Sequence, residues 1–282
     1  MAILSLNDIL RDEVIQSLQG SDLILSKTIT DLTPKVKVGS NTVTIPNVVG
    51  LSLSNVVAGT RATSGGMTTT GDALLLSSSK QVPEYISYAD GMDSAVDLEA
   101  AFISVAPRVF AQGLEAAIAT SLVTASSLDF DSVSAVAGVF AITDIAKAKK
   151  KLDGARVPKS DRYMAVNADG MEVLASMQEF QDGQKSLSPE ALREGVVSMV
   201  KGFKVVQSED IAGTGATLKV CFYHKSAVAF ALHSAIEYIK SDIPEYAQFF
   251  IALRGKYGVK DVENVAAAGV RKITMSCTTA TA

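Results

Sequence analysis

The 282-residue chain has no tryptophan, two cysteines, two histidines and seven prolines. Each scarcity excludes something. Cys221 and Cys277 stand far apart, so there is neither a disulfide framework nor a cysteine-rich zinc site, and the thiol usage fits a reducing compartment. His224 and His233 are the only side chains with an ordinary pKa near neutrality. They flank an apolar strand and fall on opposite faces of it if it is regular, so each reads as a satisfied structural histidine. No apolar run approaches the eighteen residues of a membrane span. Met1–Gln16 has no basic stretch ahead of an apolar core, so no secretory leader is read. A net charge of −4 argues against non-specific nucleic-acid binding, which needs a basic face.

Catalytic constellations are missing as well. There is no P-loop, nucleophile elbow or H-E-x-x-H. Gly213-Thr214-Gly215 lacks the third glycine of a dinucleotide fingerprint and reads as a turn between strands. Ser77-Ser78-Ser79-Lys80 matches an S-x-x-K tetrad without its companion motifs. Cys221 lies in an apolar run and reads as a small core residue. No acidic or histidine cluster has metal-ligand spacing. No catalytic residue, metal or cofactor is expected.

Apolar residues at 48 % are enough to bury a core of one large domain or two modest ones. Leu6, Ile9, Leu10, Val14, Ile15 and Leu18 recur at helical spacing, predicting an amphipathic helix over Ser5–Leu18 that Gly20 ends. It docks either on its own domain or on a neighbour. Lys35–Ile45 alternates around Gly39-Ser40-Asn41 and predicts a hairpin closed by Pro46. Asp93–Ser121 is the longest helix candidate, capped by Ser94. Its apolar stripe includes Val105 and Val109, Arg108, Gln112 and Glu115 fall on the other side, and Pro107 should bend or break it. Ala141–Leu152 predicts a helix with Ile142, Ile145, Ala146 and Leu152 inward. Lys147, Lys149, Lys150 and Lys151 read as a solvated face. Leu218–Tyr223, Ala227–Leu232, Ile236–Ile239, Gln248–Tyr257 and Gly269–Met275 are strand candidates, and Ser276–Ala282 reads as a fraying tail.

Val49–Ser79 is the unusual stretch. Arg61 and Asp72 are its only charges, and Thr63-Ser64-Gly65-Gly66-Met67-Thr68-Thr69-Thr70-Gly71 has no large residue but Met67. Leu51, Leu53, Val56 and Val57 on one side and Leu74, Leu75 and Leu76 on the other are strand-like flanks that a flexible linker does not carry. A hairpin of this length reaches about 45 Å at roughly 3.3 Å per residue. An isolated hairpin is marginal in water, so it needs a surface to lie on.

In Ser160–Ile211, a strand at Tyr163–Val166 runs into Asn167-Ala168-Asp169-Gly170 and a helix. Lys201-Gly202-Phe203-Lys204-Val205-Val206 follows some thirty residues later, then Gln207-Ser208-Glu209. Near the end come Arg254-Gly255-Lys256-Tyr257-Gly258-Val259-Lys260 and Asn264–Val270. This order of parts resembles the major capsid proteins of tailed bacteriophages, with their Hong Kong 97-like fold, from about Val43 to Ile273.

The resemblance implies an α+β architecture. Residues 1–42 would form an N-terminal arm, 43–90 an extended loop (49–82) with its strands, and 91–125 the spine helix of a peripheral domain. Residues 126–233 would form an axial α/β domain, and 234–282 the peripheral β-sheet and tail. It implies a shell protein enclosing double-stranded DNA, self-assembled from pentamers and hexamers. Such a chain is made in host cytoplasm and ends in the virion, touches DNA only by non-specific apposition and meets no membrane. Inter-subunit contacts fall on Arg61, Thr63, Ser64, Gly65, Gly66, Met67, Thr68, Thr69, Thr70 and Asp72 of the loop. A second set falls on Glu179, Phe180, Gln181, Asp182 and Gln184 of an axial loop. Lys80 is the only lysine between Val49 and Val82 and sits at the loop's base, so non-covalent closure is expected. Some forty residues precede the loop, which points to a separate scaffolding protein, beside a portal and a decoration protein. The alternatives are an encapsulin-type nanocompartment shell and a non-capsid hydrolase or surface protein.

Overall fold

The computed structural model describes residues 24–37, 40–49, 68–89, 98–132, 134, 136–177, 199–233, 236–262 and 271–277. The predicted Ser5–Leu18 helix, the Ser94 cap, Asn264–Val270 and residues 278–282 lie outside them.

One helix organises the rest. Helix α2 (Leu98–Val123) follows α1 (Leu25–Thr28) and continues through Pro107 without a break. The proline forfeits one main-chain bond, which the remaining turns absorb. Phe110, Leu114, Ile118 and Leu122 are buried. They lie in one cluster with Val228, Phe230, Leu232 and Leu253 from one sheet and Ala165, Cys221 and Tyr223 from another. The helix is thus covered by two sheets. Glu115 is buried with them, against its sequence reading as an outward residue. Its carboxylate accepts the main-chain N–H groups of Leu25 and Ser26, the latter at 3.1 Å, and so caps α1. Val105 and Val109, expected inside, are exposed.

The first sheet is built on β12 (Gln248–Asp261). On one side lie β10 (Val228–Leu232) and then β11 (Glu237–Ile243), on the other β4 (Ser78–Ser87), all antiparallel to it. Strand β1 (Thr30–Asp31) adds in parallel to β10. The second sheet has six strands. They run in the order β5 (Phe130–Asp131), β13 (Lys272–Ser276), β9 (Lys219–His224), β6 (Arg162–Val166), β8 (Phe203–Gln207) and β7 (Met199–Val200). Helices α3 (Ile142–Gly154) and α4 (Ala168–Ser176) share a core with its other face, where Met164, Phe203, Phe222 and Ile273 meet Ile145, Leu152 and Leu174.

Two strands sit elsewhere than the sequence grouping had them. Val228–Leu232, assigned to the axial block, pairs with β12. Lys272–Ser276, assigned to the peripheral sheet, pairs with β9. Both are short and nearly all buried, so no alternation marks their partners. Cys277, placed in the fraying tail, is buried and bonded to the Leu218 carbonyl at 2.8 Å. In α3, Ala146 faces solvent and Ala148 fills the inward position. Its lysines are not all solvated: Lys147 and Lys151 lie over the Phe130 ring, and Lys151 donates to the Leu128 carbonyl at 2.7 Å.

Where α2 ends, the two sheets are pinned by a polar cluster. The buried Lys272 ammonium donates to the Ser121 carbonyl at 2.6 Å and pairs with Asp261, which also accepts from the Ser121 hydroxyl. A buried ammonium without such partners would cost several kcal/mol.

Candidate assembly site

The predicted hairpin over Lys35–Ile45 does not form. Strand β2 (Thr42–Val49) pairs instead with β3 (Thr68–Leu75), antiparallel, from Thr42 opposite Leu75 to Val49 opposite Thr68. The chain before it makes a single 3-10 turn, Thr33–Lys35, set by Pro34. Pro46 lies within β2, opposite Gly71, rather than closing a turn. Leu76 N–H donates to the Asn41 carbonyl at 2.8 Å, and bonded pairs alternate along an antiparallel ladder. Pro46 therefore falls at a non-bonded pair, where its missing N–H faces away and costs nothing. Gly71 opposite it is needed for space, since a Cβ there would lie 2.6 Å from Thr44 Cγ2.

This two-stranded ribbon has no third strand among the described residues. Its base is fixed to its own subunit. Val43, Leu74 and Leu76 are buried with Leu32 against Ala229 and Ala231. Strand β10 thus presents Val228, Phe230 and Leu232 to α2 and two alanines to the ribbon. The Leu75 carbonyl packs on Gly258, where a Cβ would come within 2.3 Å of it. Lys260 donates to the Ala73 carbonyl at 3.0 Å. Leu75 itself is 59 % exposed.

Thr68, Thr69 and Thr70 stand in β3 opposite Val49, Val48 and Asn47, and Asp72 opposite Ile45. Arg61, Thr63, Ser64, Gly65, Gly66 and Met67 lie outside the described residues, as do Glu179, Phe180, Gln181, Asp182 and Gln184. The structure thus brings Thr68–Asp72 together on one strand. Lys80 sits on β4 opposite Gly255, exposed.

The sequence reading missed an aromatic end on the five-stranded sheet. Tyr85 packs on Phe250 at 5.1 Å and Tyr88 on Phe249 at 6.4 Å, with Tyr246 exposed in the β11–β12 turn. The clustering of Tyr85 with Tyr88 and of Tyr246 with Phe249 and Phe250 was the available signal. Pro83 lies on the outer edge of β4: Tyr88 N–H bonds the Ala247 carbonyl, so by alternation Pro83 points its missing N–H outward. That edge resists pairing with another strand in the middle of its run.

The titratable groups have structural explanations. His224 Nδ1 accepts from Ser226 N–H at 3.2 Å and meets Ser226 Oγ at 2.8 Å, which also accepts from Arg271. Burial, then Arg271, holds the imidazole below its ordinary value. Because β9 ends at His224 and β10 leads to His233 in the other sheet, no regular strand relates the two histidines. Burial pushes the Cys221 thiol up to about 12, which makes it inert. Gly213 and Gly215 have positive φ and form the turn between β8 and β9, tied to α4 by Asn167 Nδ2 on the Gly213 carbonyl and Asp169 on Gly215 N–H. No group of three or more possible metal ligands occurs among the described residues. No described helix is long and apolar enough to cross a membrane.

A central helix thus lies between two sheets, and a two-stranded ribbon is anchored at its base. The phage capsid protein family model matches residues 11–258. The chain belongs to that family. Solved structures agree. A chain of Mycobacterium phage Che8 superposes with TM-score 0.70 at 22 % identity, covering 89 % of this chain and 90 % of that one. The capsid of the cyanophage P-SCSP1u gives 0.68 at 14 % identity, with coverages of 90 % and 87 %. The capsid of an empty GTA particle gives 0.65 at 14 % identity, with coverages of 99 % and 92 %. No curated protein sequence matches. The capsid protein therefore has the Hong Kong 97-like α+β fold, and its function is to form the shell.

Proposed function

We propose that this capsid protein closes its shell through the β2–β3 ribbon, whose far part lies on an adjacent copy. The observation that carries this is the ribbon's construction. Two strands alone are marginal in water, and among the described residues the part buried on the parent subunit is the base, from Val43 and Leu74 to Leu76. Copies in pentamers and hexamers then share one joint, and a ribbon lying across a neighbour reaches the standard interface size of roughly 1,600 Å² in total. Closure is non-covalent, with Lys80 held in β4 at the ribbon's base. A structural, non-catalytic role, assembly in host cytoplasm with a separate scaffolding protein, a portal and a decoration protein, and DNA apposed without specific contacts belong to the same reading.

Deletion of Thr63–Gly71 tests it. The base from Ala73 to Leu76 stays, so the subunit should remain folded by circular dichroism while closed shells vanish from negative-stain images. Normal shells from the deletion variant would refute the reading.

A further inference from the structure

We infer that the amphipathic segment Ser5–Leu18 docks on the exposed face of α2 in its own chain. Val105 is 56 % and Val109 43 % exposed, which is unusual for two valines in the middle of the organising helix. At 3.6 residues per turn they project within about a quarter turn of Ala101, Gln112 and Ala116, also exposed. The result is a narrow stripe of Ala101, Val105, Val109 and Ala116 around Gln112, bordered by exposed Arg108 on one side and Thr120 on the other. The next sector of the same helix, at Ala111 and Glu115, is already covered by the start of the described chain: Ile24 and Leu25 pack there, and Glu115 caps α1. The residues before Ile24 therefore begin beside the bare stripe.

Lengths favour the same occupant. From Glu115 back to Val105 is about 15 Å of helix, and the five residues 19–23 span up to about 17 Å when extended. The fourteen residues Ser5–Leu18 make a helix of about 21 Å, close to the roughly 22 Å from Ala101 to Ala116. Leu6, Ile9, Leu10 and Val14 supply a matching apolar face. A short tether gives an effective concentration on the order of millimolar, so a small apolar contact is occupied within one chain where two separate chains would need a larger one.

The test places a photoreactive benzophenone amino acid at Val105 or, separately, Gln112 in the full-length protein, prepared from a mixture of light and heavy nitrogen-labelled chains. Irradiation followed by peptide mass spectrometry should find adducts on residues 1–18, joined within chains of one isotope. Leu10→Asp in the same background should abolish them. Adducts joining light to heavy chains, adducts elsewhere, or none at either position would overturn the inference, without bearing on the ribbon.

Discussion

Strand β9 and the ribbon strand β3 show two opposite solutions to the same demand. Each face of β9 is covered: Val220 and Phe222 meet α3 and α4, while Cys221 and Tyr223 meet α2. Strand β3 has Leu74 fully buried and Leu75 mostly in water, and its only partner strand among the described residues is β2. The first strand is stabilised inside one subunit. Among the described residues the second is buried at its root, and in the proposed joint the rest of its stabilisation comes from another chain. The proposed joint gives the subunit both kinds, a body that survives alone and a limb that does not.

The contrast can be broken from either side. In the body, Phe222→Ala removes a fully buried ring that stacks edge-on to Phe203 at 5.1 Å. It should cost about 3–5 kcal/mol, read as a lower urea midpoint of the unassembled subunit. At the root, Gly258→Ala drives a methyl into the Leu75 carbonyl. Overpacking of this kind costs about 1–3 kcal/mol and should re-aim the ribbon, so shell yield should fall further than subunit stability does.

Glu115 gives a subtler test of how α1 is held on α2. Burial raises its pKa above the ordinary 4.5, outweighing the main-chain bonds from Leu25 and Ser26 that lower it. The folded state then binds this proton more tightly than the unfolded chain. Its stabilising contribution is present below the unfolded value and is lost as pH rises through the folded one. Urea titrations from pH 4 to 7 should show that loss in the parent and a flatter profile in Glu115→Gln. The smallest effect on the subunit belongs to Leu75→Ser. An exposed residue contributes within about 0.5 kcal/mol to the fold, so the urea midpoint should hold while assembly, followed by light scattering, weakens.

Periodicity and order of parts were legible in the sequence; partners were not. The α2 helix, the Arg162–Val166 strand with its Asn167 cap, and the long β12 follow from local spacing and capping chemistry. The pairing of Thr42–Val49 with Thr68–Leu75 spans a long insertion, so a nearer turn signal at Gly39-Ser40-Asn41 misled. Strands β10 and β13 are buried on both faces and carry no alternation to reveal which sheet they join. Glu115 and Lys272 look like surface residues by type and are buried because distant groups satisfy them, the N–H groups of Leu25 and Ser26 for one and Asp261 and Ser121 for the other. Pairing at such range is not encoded in any window of sequence. For the proposed assembly site, the polar composition of Val49–Ser79 was the visible signal, and the base clamp at Gly258 and Lys260 was not.

The most direct measurement compares amide hydrogen exchange of Thr68–Asp72 in free subunits and in assembled shells. If this limb is completed by an adjacent copy, these amides exchange rapidly in the subunit and are strongly protected in the shell. Equal protection in both states would mean that the ribbon is satisfied at home, and the account of shell closure would fail.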